Sequence, residues 1–180
     1  MEISNPKVLL TGRPGVGKTT VIMKVIEGFK GRAGGFYTEE MRKGNVREGF
    51  RIKTLDGRDG ILAHINHSGP FRVGRYGVDV ESFDEIAIPS LERALERDEL
   101  IIIDEIGKME LCSEAFREAV AAAMDSDRAV VATVPIYGLA FVDELKRRPD
   151  VILIEITRSN RDALPARVME LLAEPAAPRA

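Results

Sequence analysis

The sequence has little of what secreted and membrane-spanning proteins need. Its single cysteine, Cys112, excludes an internal disulfide framework and is compatible with a reducing cytoplasm. No apolar run approaches the length that crosses a membrane, and the strongest run, at 100–103, has the length of a strand. The first six residues lack the basic and apolar regions of a secretory signal. We therefore expect a cytoplasmic protein without a membrane segment.

An excess of positive charge is also missing. The 26 Lys and Arg residues face 29 Asp and Glu residues, which gives a net charge of −3 and argues against a general nucleic-acid coat. A local basic groove stays possible. With 180 residues and an apolar content of 44%, the chain is long enough to bury a sizeable core. We predict a single domain over 1–173 and a flexible tail over 174–180.

Apolar stretches of strand length alternate with stretches whose apolar residues recur at helical spacing. This alternation predicts a three-layer α/β fold in which helices cover both faces of a mostly parallel sheet. Pro89 is expected to restart a helix rather than lie inside one. The predicted strands are 7–10, 99–103, 129–134 and 151–156, and the predicted helices are 21–29, 82–97, 113–124, 138–148 and 162–173.

Residues 35–81 have a different texture, because glycines recur between short β-prone pieces. These pieces lie at 35–41, 49–54, 61–65 and 71–75, and the Asp56-Gly57 dipeptide between two of them is typical of a hairpin turn. The segment is short and offers few large apolar side chains. We interpret it as a β-rich insertion that adds antiparallel strands and hairpins to the α/β core, not as a separate domain.

A phosphate-binding loop follows the first predicted strand. The sequence GRPGVGKT at 12–19 matches G-x-x-x-x-G-K-[ST] at every fixed position, between an apolar strand and an amphipathic helix. Glycines let successive N–H groups turn inward, and the helix N-terminus adds a positive dipole end. Lys18 can reach the β- and γ-phosphates, and the Thr19 hydroxyl can ligate Mg²⁺. The predicted nucleotide-binding residues are Gly12, Arg13, Pro14, Gly15, Val16, Gly17, Lys18 and Thr19, and Arg13 faces either solvent or phosphate.

Two carboxylates, Asp104 and Glu105, end the most apolar strand. The carboxyl end of such a strand is where α/β sheets bind ligands. Alone this pattern is weak, but beside a phosphate loop it predicts that Asp104 holds Mg²⁺ together with Thr19. Glu105 is then the candidate base that polarises the attacking water.

The complete absence of glutamine supports Glu105 in that role. Some nucleotide hydrolases orient their water with a glutamine, and this chain cannot. An N-K-x-D sequence, which reads guanine, is absent too, so strict selectivity for GTP is not indicated.

Four motifs carry a family resemblance: GRPGVGKTT at 12–20, GFYTEE at 35–40, YGV at 76–78 and DEIGKMEL at 104–111. In this order they resemble the THEP1 nucleoside-triphosphatase family, whose relatives include the cancer-related nucleoside triphosphatase. The resemblance implies a RecA-like P-loop NTPase fold in which another strand separates the loop strand from the Asp104 strand. It also implies Mg²⁺-dependent hydrolysis of several nucleoside triphosphates, ATP and GTP included, to diphosphate and phosphate. It extends the nucleotide-binding set to Thr20.

Three further cations could assist the reaction. Lys108 could neutralise charge on the γ-phosphate as a catalytic residue, or be a solvated lysine. Arg158 and Arg161 follow the last strand, where either could be an internal arginine finger or a surface ion pair. Without such a finger we expect slow hydrolysis. Glu110 is expected to be a helix-start charge, and Tyr76 is an open candidate for stacking a base.

Two other functions remain open at this stage. A small P-loop kinase would share the loop and could bind an acceptor in the 35–81 insertion. A nucleotide-controlled switch would act through a protein partner, which the sequence does not identify. We expect a monomer rather than an obligate oligomer, with nucleoside triphosphates as ligands and without nucleic acid or membrane as partners.

Overall fold

The computed structural model describes residues 5–173, so the predicted tail at 174–180 lies outside the described residues. None of the helices within 5–173 is both long enough and apolar enough to span a membrane. The strands are β1 (Lys7–Thr11), β2 (Ala33–Lys43), β3 (Val46–Thr54), β4 (Asp59–His64), β5 (Arg72–Val73), β6 (Tyr76–Val78), β7 (Leu100–Ile103), β8 (Ala129–Val134) and β9 (Val151–Glu155). The helices are α1 (Lys18–Gly28), α2 (Val80–Arg97), α3 (Glu114–Asp125), α4 (Ala140–Lys146) and α5 (Leu164–Ala173).

The nine strands within residues 5–173 form one sheet in the order β5-β6-β4-β3-β2-β7-β8-β1-β9. The five strands from β2 to β9 in this order are parallel, and the other four add to β2 in antiparallel fashion. The predicted α/β class with a parallel core and added antiparallel strands is confirmed. β8 pairs with both β1 and β7, so a strand separates the loop strand from the Asp104 strand, as the resemblance implied.

The strands of the parallel core bury side chains on both faces, which is why they read as continuous apolar runs. In β1, Val8 and Leu10 point to the face covered by α1 and α5, whereas Leu9 points to the other. α2, α3 and α4 cover that second face, where Phe36, Phe83 and Phe116 pack edge to face or tilted. The result is the predicted three-layer arrangement.

β2 joins the two parts of the sheet because its two halves have different partners. Residues 33–36 pair with β7 in parallel, and the strand continues to Lys43 along antiparallel β3. At the junction, Gly35 has a φ of +102°, and a Cβ atom there would lie 2.0 Å from the Ile102 carbonyl oxygen. Only glycine fits this position. The strand therefore carries residues 38–40 past the end of β7 toward the phosphate loop.

The expectation that Pro89 restarts a helix was wrong. α2 is continuous from Val80 to Arg97, with Pro89 inside it. Proline removes the N–H that would bond the carbonyl four residues earlier, which belongs to Glu85. Arg58 Nη2 donates to that carbonyl oxygen at 3.4 Å, so a side chain from the β3–β4 turn replaces the missing partner.

Candidate active site

The phosphate loop lies between β1 and α1, and its glycines adopt the conformations that the motif requires. Gly15 and Gly17 have φ angles of +77° and +108°, and α1 begins at the next residue, Lys18. A Cβ atom at Gly12 would lie 2.9 Å from both the Ile156 carbonyl oxygen and the Val16 side chain. The loop is thus held closely against the end of β9, with the N-terminus of α1 open to an anion.

The Asp104 carboxylate is 2% exposed and lies at the carboxyl end of β7. Thr19 donates from Oγ1 to Asp104 Oδ2 at 2.8 Å, and Thr133 donates to Oδ1 at 2.5 Å. Burial raises the pKa of Asp104, and the two hydroxyl donors oppose that rise. Thr19 and Asp104, far apart in sequence, therefore meet and could present hard oxygen ligands to a divalent cation.

Glu105, the next residue, is directed toward the phosphate loop. Its Oε2 lies 3.4 Å from Lys18 Nζ, and its side chain is 31% exposed. The same ammonium group donates to the Gly12 carbonyl oxygen at 2.9 Å. The structure thus brings together the predicted base, the predicted phosphate-binding lysine and the predicted metal ligands, while their roles stay predictions.

Glu110 was expected to be a helix-start charge; it does lie at the start of a helical turn, but its carboxyl is buried and not charged at neutral pH. It begins a short 3₁₀ segment, Glu110–Cys112, but its side chain is only 5% exposed and faces the same cavity as Glu105. Burial, followed by repulsion from Glu105, raises the pKa of Glu110 to about 8. Its position within the DEIGKMEL stretch was the one sequence signal that could have pointed to this carboxyl.

The difference in the free energy of unfolding between Glu110→Gln and wild type should depend on pH, because the Glu110 carboxyl is buried. The folded protein keeps the carboxyl protonated up to about pH 8, whereas the unfolded chain ionises it near its ordinary pKa of 4.5. Wild-type stability should therefore fall as pH rises through this window, by about 1.4 kcal/mol per pH unit from this group. Glutamine does not titrate, so the variant should gain on wild type across the window.

Urea unfolding of both proteins between about pH 5 and pH 8 measures the effect. Glu114→Gln, at an exposed position on α3, is the matched control and should follow wild type. A constant difference between Glu110→Gln and wild type across the range would contradict the buried, protonated carboxyl.

A cavity of about 560 Å³ extends from the phosphate loop across the ends of β7 and β2 into the antiparallel part of the sheet. Lys108 is exposed and lines this cavity. Tyr76 does not offer its ring to a base, since it is buried in the core and packs against Phe50. Tyr137 was missed by the sequence analysis and lies at the cavity rim, 80% exposed.

Arg158 and Arg161 lie on the opposite side of the loop, next to β9. Arg158 lines a cavity of about 610 Å³ together with Arg13 and other loop residues. Arg161 donates from Nη1 to the Val16 carbonyl oxygen at 3.2 Å and lines a smaller cavity of about 290 Å³. Neither arginine lines the cavity that contains Glu105. Thr20 lines both the Glu105 cavity and the smaller one.

Known proteins resemble this chain over nearly its whole length. A family model described as NTPase matches residues 7–169. The nucleoside-triphosphatase THEP1 of Thermotoga maritima is 49% identical over 166 residues, which cover 92% of this chain and 95% of that protein. The crystal structure of THEP1 from the hyperthermophile Aquifex aeolicus matches with a TM-score of 0.86 and 44% identity, over 93% of this chain and 99% of that one. The solution structure of a human cancer-related nucleoside triphosphatase matches with a TM-score of 0.78 and 38% identity, over 92% and 96%.

Proposed function

Because this chain belongs to the NTPase family, in which its relatives are nucleoside-triphosphatases named THEP1, we propose that it hydrolyses nucleoside triphosphates to diphosphate and phosphate with Mg²⁺. Membership in the family confirms the resemblance seen in the sequence motifs, and the matched structures confirm the P-loop NTPase fold. Mg²⁺ dependence, broad base specificity and a slow rate are the further parts of the proposal.

One observation carries the mechanism: the Thr19–Asp104 hydrogen bond of 2.8 Å lies beside the Lys18–Glu105 contact of 3.4 Å. The two proposed pairs, Thr19–Asp104 for the metal and Lys18–Glu105 for the phosphate and the base, thus lie at one end of one cavity. Phosphoryl transfer needs both groups of residues around the same phosphorus atom.

The donor set suits Mg²⁺. Asp104 supplies a buried carboxylate and Thr19 a hydroxyl, and hard oxygen ligands of this kind are what Mg²⁺ prefers. When bound, Mg²⁺ supplies positive charge that offsets the charge of the phosphates. Thr133 would orient the Asp104 carboxylate through its own hydrogen bond of 2.5 Å.

The chain's own residues account for the remaining steps. N–H groups of the loop and of the α1 N-terminus bind the phosphate oxygens. The Lys18 ammonium group donates a charged hydrogen bond to the γ-phosphate. Glu105 accepts a proton from the water that attacks the γ-phosphorus. The bond from that phosphorus to the bridging oxygen breaks, nucleoside diphosphate departs as the leaving group, and the water oxygen stays on the released phosphate. Catalysis is mostly positioning plus electrostatic stabilisation.

Broad base specificity follows from the region where the nucleoside would lie. The 610 Å³ cavity next to β9 is lined by Glu155, Thr157 and Arg158 together with loop residues, and no N-K-x-D sequence is present to read guanine. The rate should be slow because Arg158 and Arg161 lie away from the Glu105 cavity, so neither is placed as a finger on the γ-phosphate.

Phosphate release from ATP, GTP, CTP and UTP, each with Mg²⁺ or with a chelator, tests the proposal. We expect release from all four at rates within about tenfold of one another, and loss of release without the metal. Undiminished release in the chelator would remove the metal from the mechanism. Release from a single nucleotide would contradict broad specificity, and no release from any of them would end the proposal.

A further inference from the structure

The proposed function fixes the direction in which a bound triphosphate runs, and the inference below depends on that function. Lys18, Asp104 and Glu105 line the 560 Å³ cavity, so the γ-phosphoryl end faces β7. The nucleoside end then points to the β9 side, where the 610 Å³ cavity flanks the loop. The part of the 560 Å³ cavity lined by Arg47, Phe50, Leu62 and Val73 consequently lies beyond the γ-phosphate, where hydrolysis needs room for only one water molecule.

The far wall of this cavity is built from side chains that hold one another in place. Arg47 donates from Nη1 to Glu40 Oε1 and from Nε to the Tyr76 hydroxyl, both at 2.9 Å. Its guanidinium carbon lies 5.1 Å from the centre of the Phe50 ring. The Arg47 guanidinium therefore lies over the Phe50 ring, and together with the Glu40 carboxylate and Thr38 it lines this wall.

This combination suits a nucleobase. A base presents donors and acceptors in one plane, which arginine and carboxylate groups can pair, and a flat face, which the plane of a guanidinium group can stack. The volume of the cavity also suits a ligand of this kind, since cavities that hold small ligands typically measure about 300–1,000 Å³.

Tyr137 adds a second aromatic surface at the rim. Its side chain lies on the β8–α4 loop and the residue is 80% exposed. The loop is tied down by Lys146, whose Nζ donates to the Pro135 and Ile136 carbonyl oxygens at 2.7 and 2.5 Å. The ring is thus carried on an anchored segment at the mouth of the cavity.

We propose that this cavity binds a second substrate, a nucleoside or nucleoside monophosphate, which accepts the γ-phosphoryl group in place of water. An oxygen of the acceptor attacks the γ-phosphorus, and where it is a hydroxyl its proton passes to Glu105. The bond to the bridging oxygen breaks, which gives a nucleoside diphosphate and a phosphorylated acceptor. Hydrolysis is then the reaction that proceeds when water occupies the acceptor position.

The test supplies the enzyme with Mg·ATP labelled in the γ-phosphate and, in separate arms, the four ribonucleosides and their 5′-monophosphates. Labelled phosphate and labelled acceptor are separated and counted. We expect at least one arm to yield labelled acceptor, and the nucleoside and monophosphate arms distinguish the two acceptor types. Phosphate release with no labelled acceptor in any arm would overturn this inference and leave the hydrolase intact. No label in either product would instead overturn the proposed function.

Arg47→Met then tests the site itself. The ratio of transfer to hydrolysis should fall by about tenfold or more, because a base that has lost its hydrogen-bonding partner binds less well. Arg42→Met is the matched control: Arg42 also donates to Glu40, at 2.8 Å, but does not line the cavity. Its ratio should equal that of wild type, and an equal fall in both variants would overturn the assignment.

Tyr137→Ala gives an independent check that does not disturb packing, since the ring is almost fully exposed. Loss of a stacked base should again lower the transfer ratio by about tenfold. Phe71→Ala removes an exposed ring away from the cavity and should have no effect. A Tyr137→Ala ratio equal to that of wild type would remove this loop from the site.

Discussion

Replacing Glu105 with glutamine is expected to lower phosphate release by about 10²–10⁴-fold, the usual contribution of a positioned base. Glutamine keeps the size of the side chain but cannot accept the proton of the attacking water. The loss should appear in kcat, while the affinity for Mg·NTP stays close to that of wild type, because the phosphate loop, Thr19 and Asp104 are unchanged. Single-turnover phosphate release and equilibrium titration with a fluorescent nucleotide measure the two quantities.

Glu39→Gln is the matched control for this experiment. Glu39 also lines the 560 Å³ cavity, but its carboxylate pairs with Lys53 at 3.0 Å and is not in contact with Lys18. Its turnover should equal that of wild type. If Glu105→Gln turned over at the normal rate, Glu105 would be excluded as the base and the site would need another way to activate water.

Lys18→Ala is expected to impair both steps, with weaker Mg·NTP binding and a further loss of about 10²–10³-fold in rate. Lys18 is the ammonium group within the loop, and charged hydrogen bonds to phosphate are among the strongest that proteins make. The variant also deprives Glu105 of its cationic neighbour at 3.4 Å. The combined loss of Mg·NTP affinity and rate should therefore exceed the loss from removing one phosphate contact.

The same titration and phosphate-release assays measure this variant, with Lys30→Ala as the control. Lys30 is exposed just after α1 and should be replaceable without effect. Unchanged nucleotide affinity in Lys18→Ala would contradict the assignment of the loop, and with it the orientation that places Glu105 near the γ-phosphate.

Local signals allowed much of the site to be predicted from the sequence. The phosphate loop is one continuous segment, and its glycines are needed for the backbone angles of the turn. Asp104 follows an apolar run whose length and composition predict a strand. The contact between Thr19 and Asp104 depends on tertiary structure, yet the rule that ligands bind at the carboxyl ends of parallel strands was enough to expect it.

Other features depended on contacts between distant parts of the chain. Pro89 was tolerated within α2 because Arg58, in another element, bonds the freed carbonyl group. Glu110 does begin a helical turn, as expected, but the local pattern could not show that tertiary packing buries its carboxyl beside Glu105. The short strands of the insertion were largely recognised, but the sequence contains no sign that β2 would bridge a parallel and an antiparallel partner.

The intervening strand β8 determines how much space lies between the two halves of the reaction centre. Neighbouring strands are about 4.8 Å apart, so the ends of β1 and β7 are separated by about 10 Å. Across this gap Thr19 meets Asp104 at 2.8 Å and Lys18 lies 3.4 Å from Glu105, so side chains join the two halves. The order of the strands therefore sets the distance that Thr19, Lys18 and the two carboxylates must span, and side chains rather than backbone close the reaction centre.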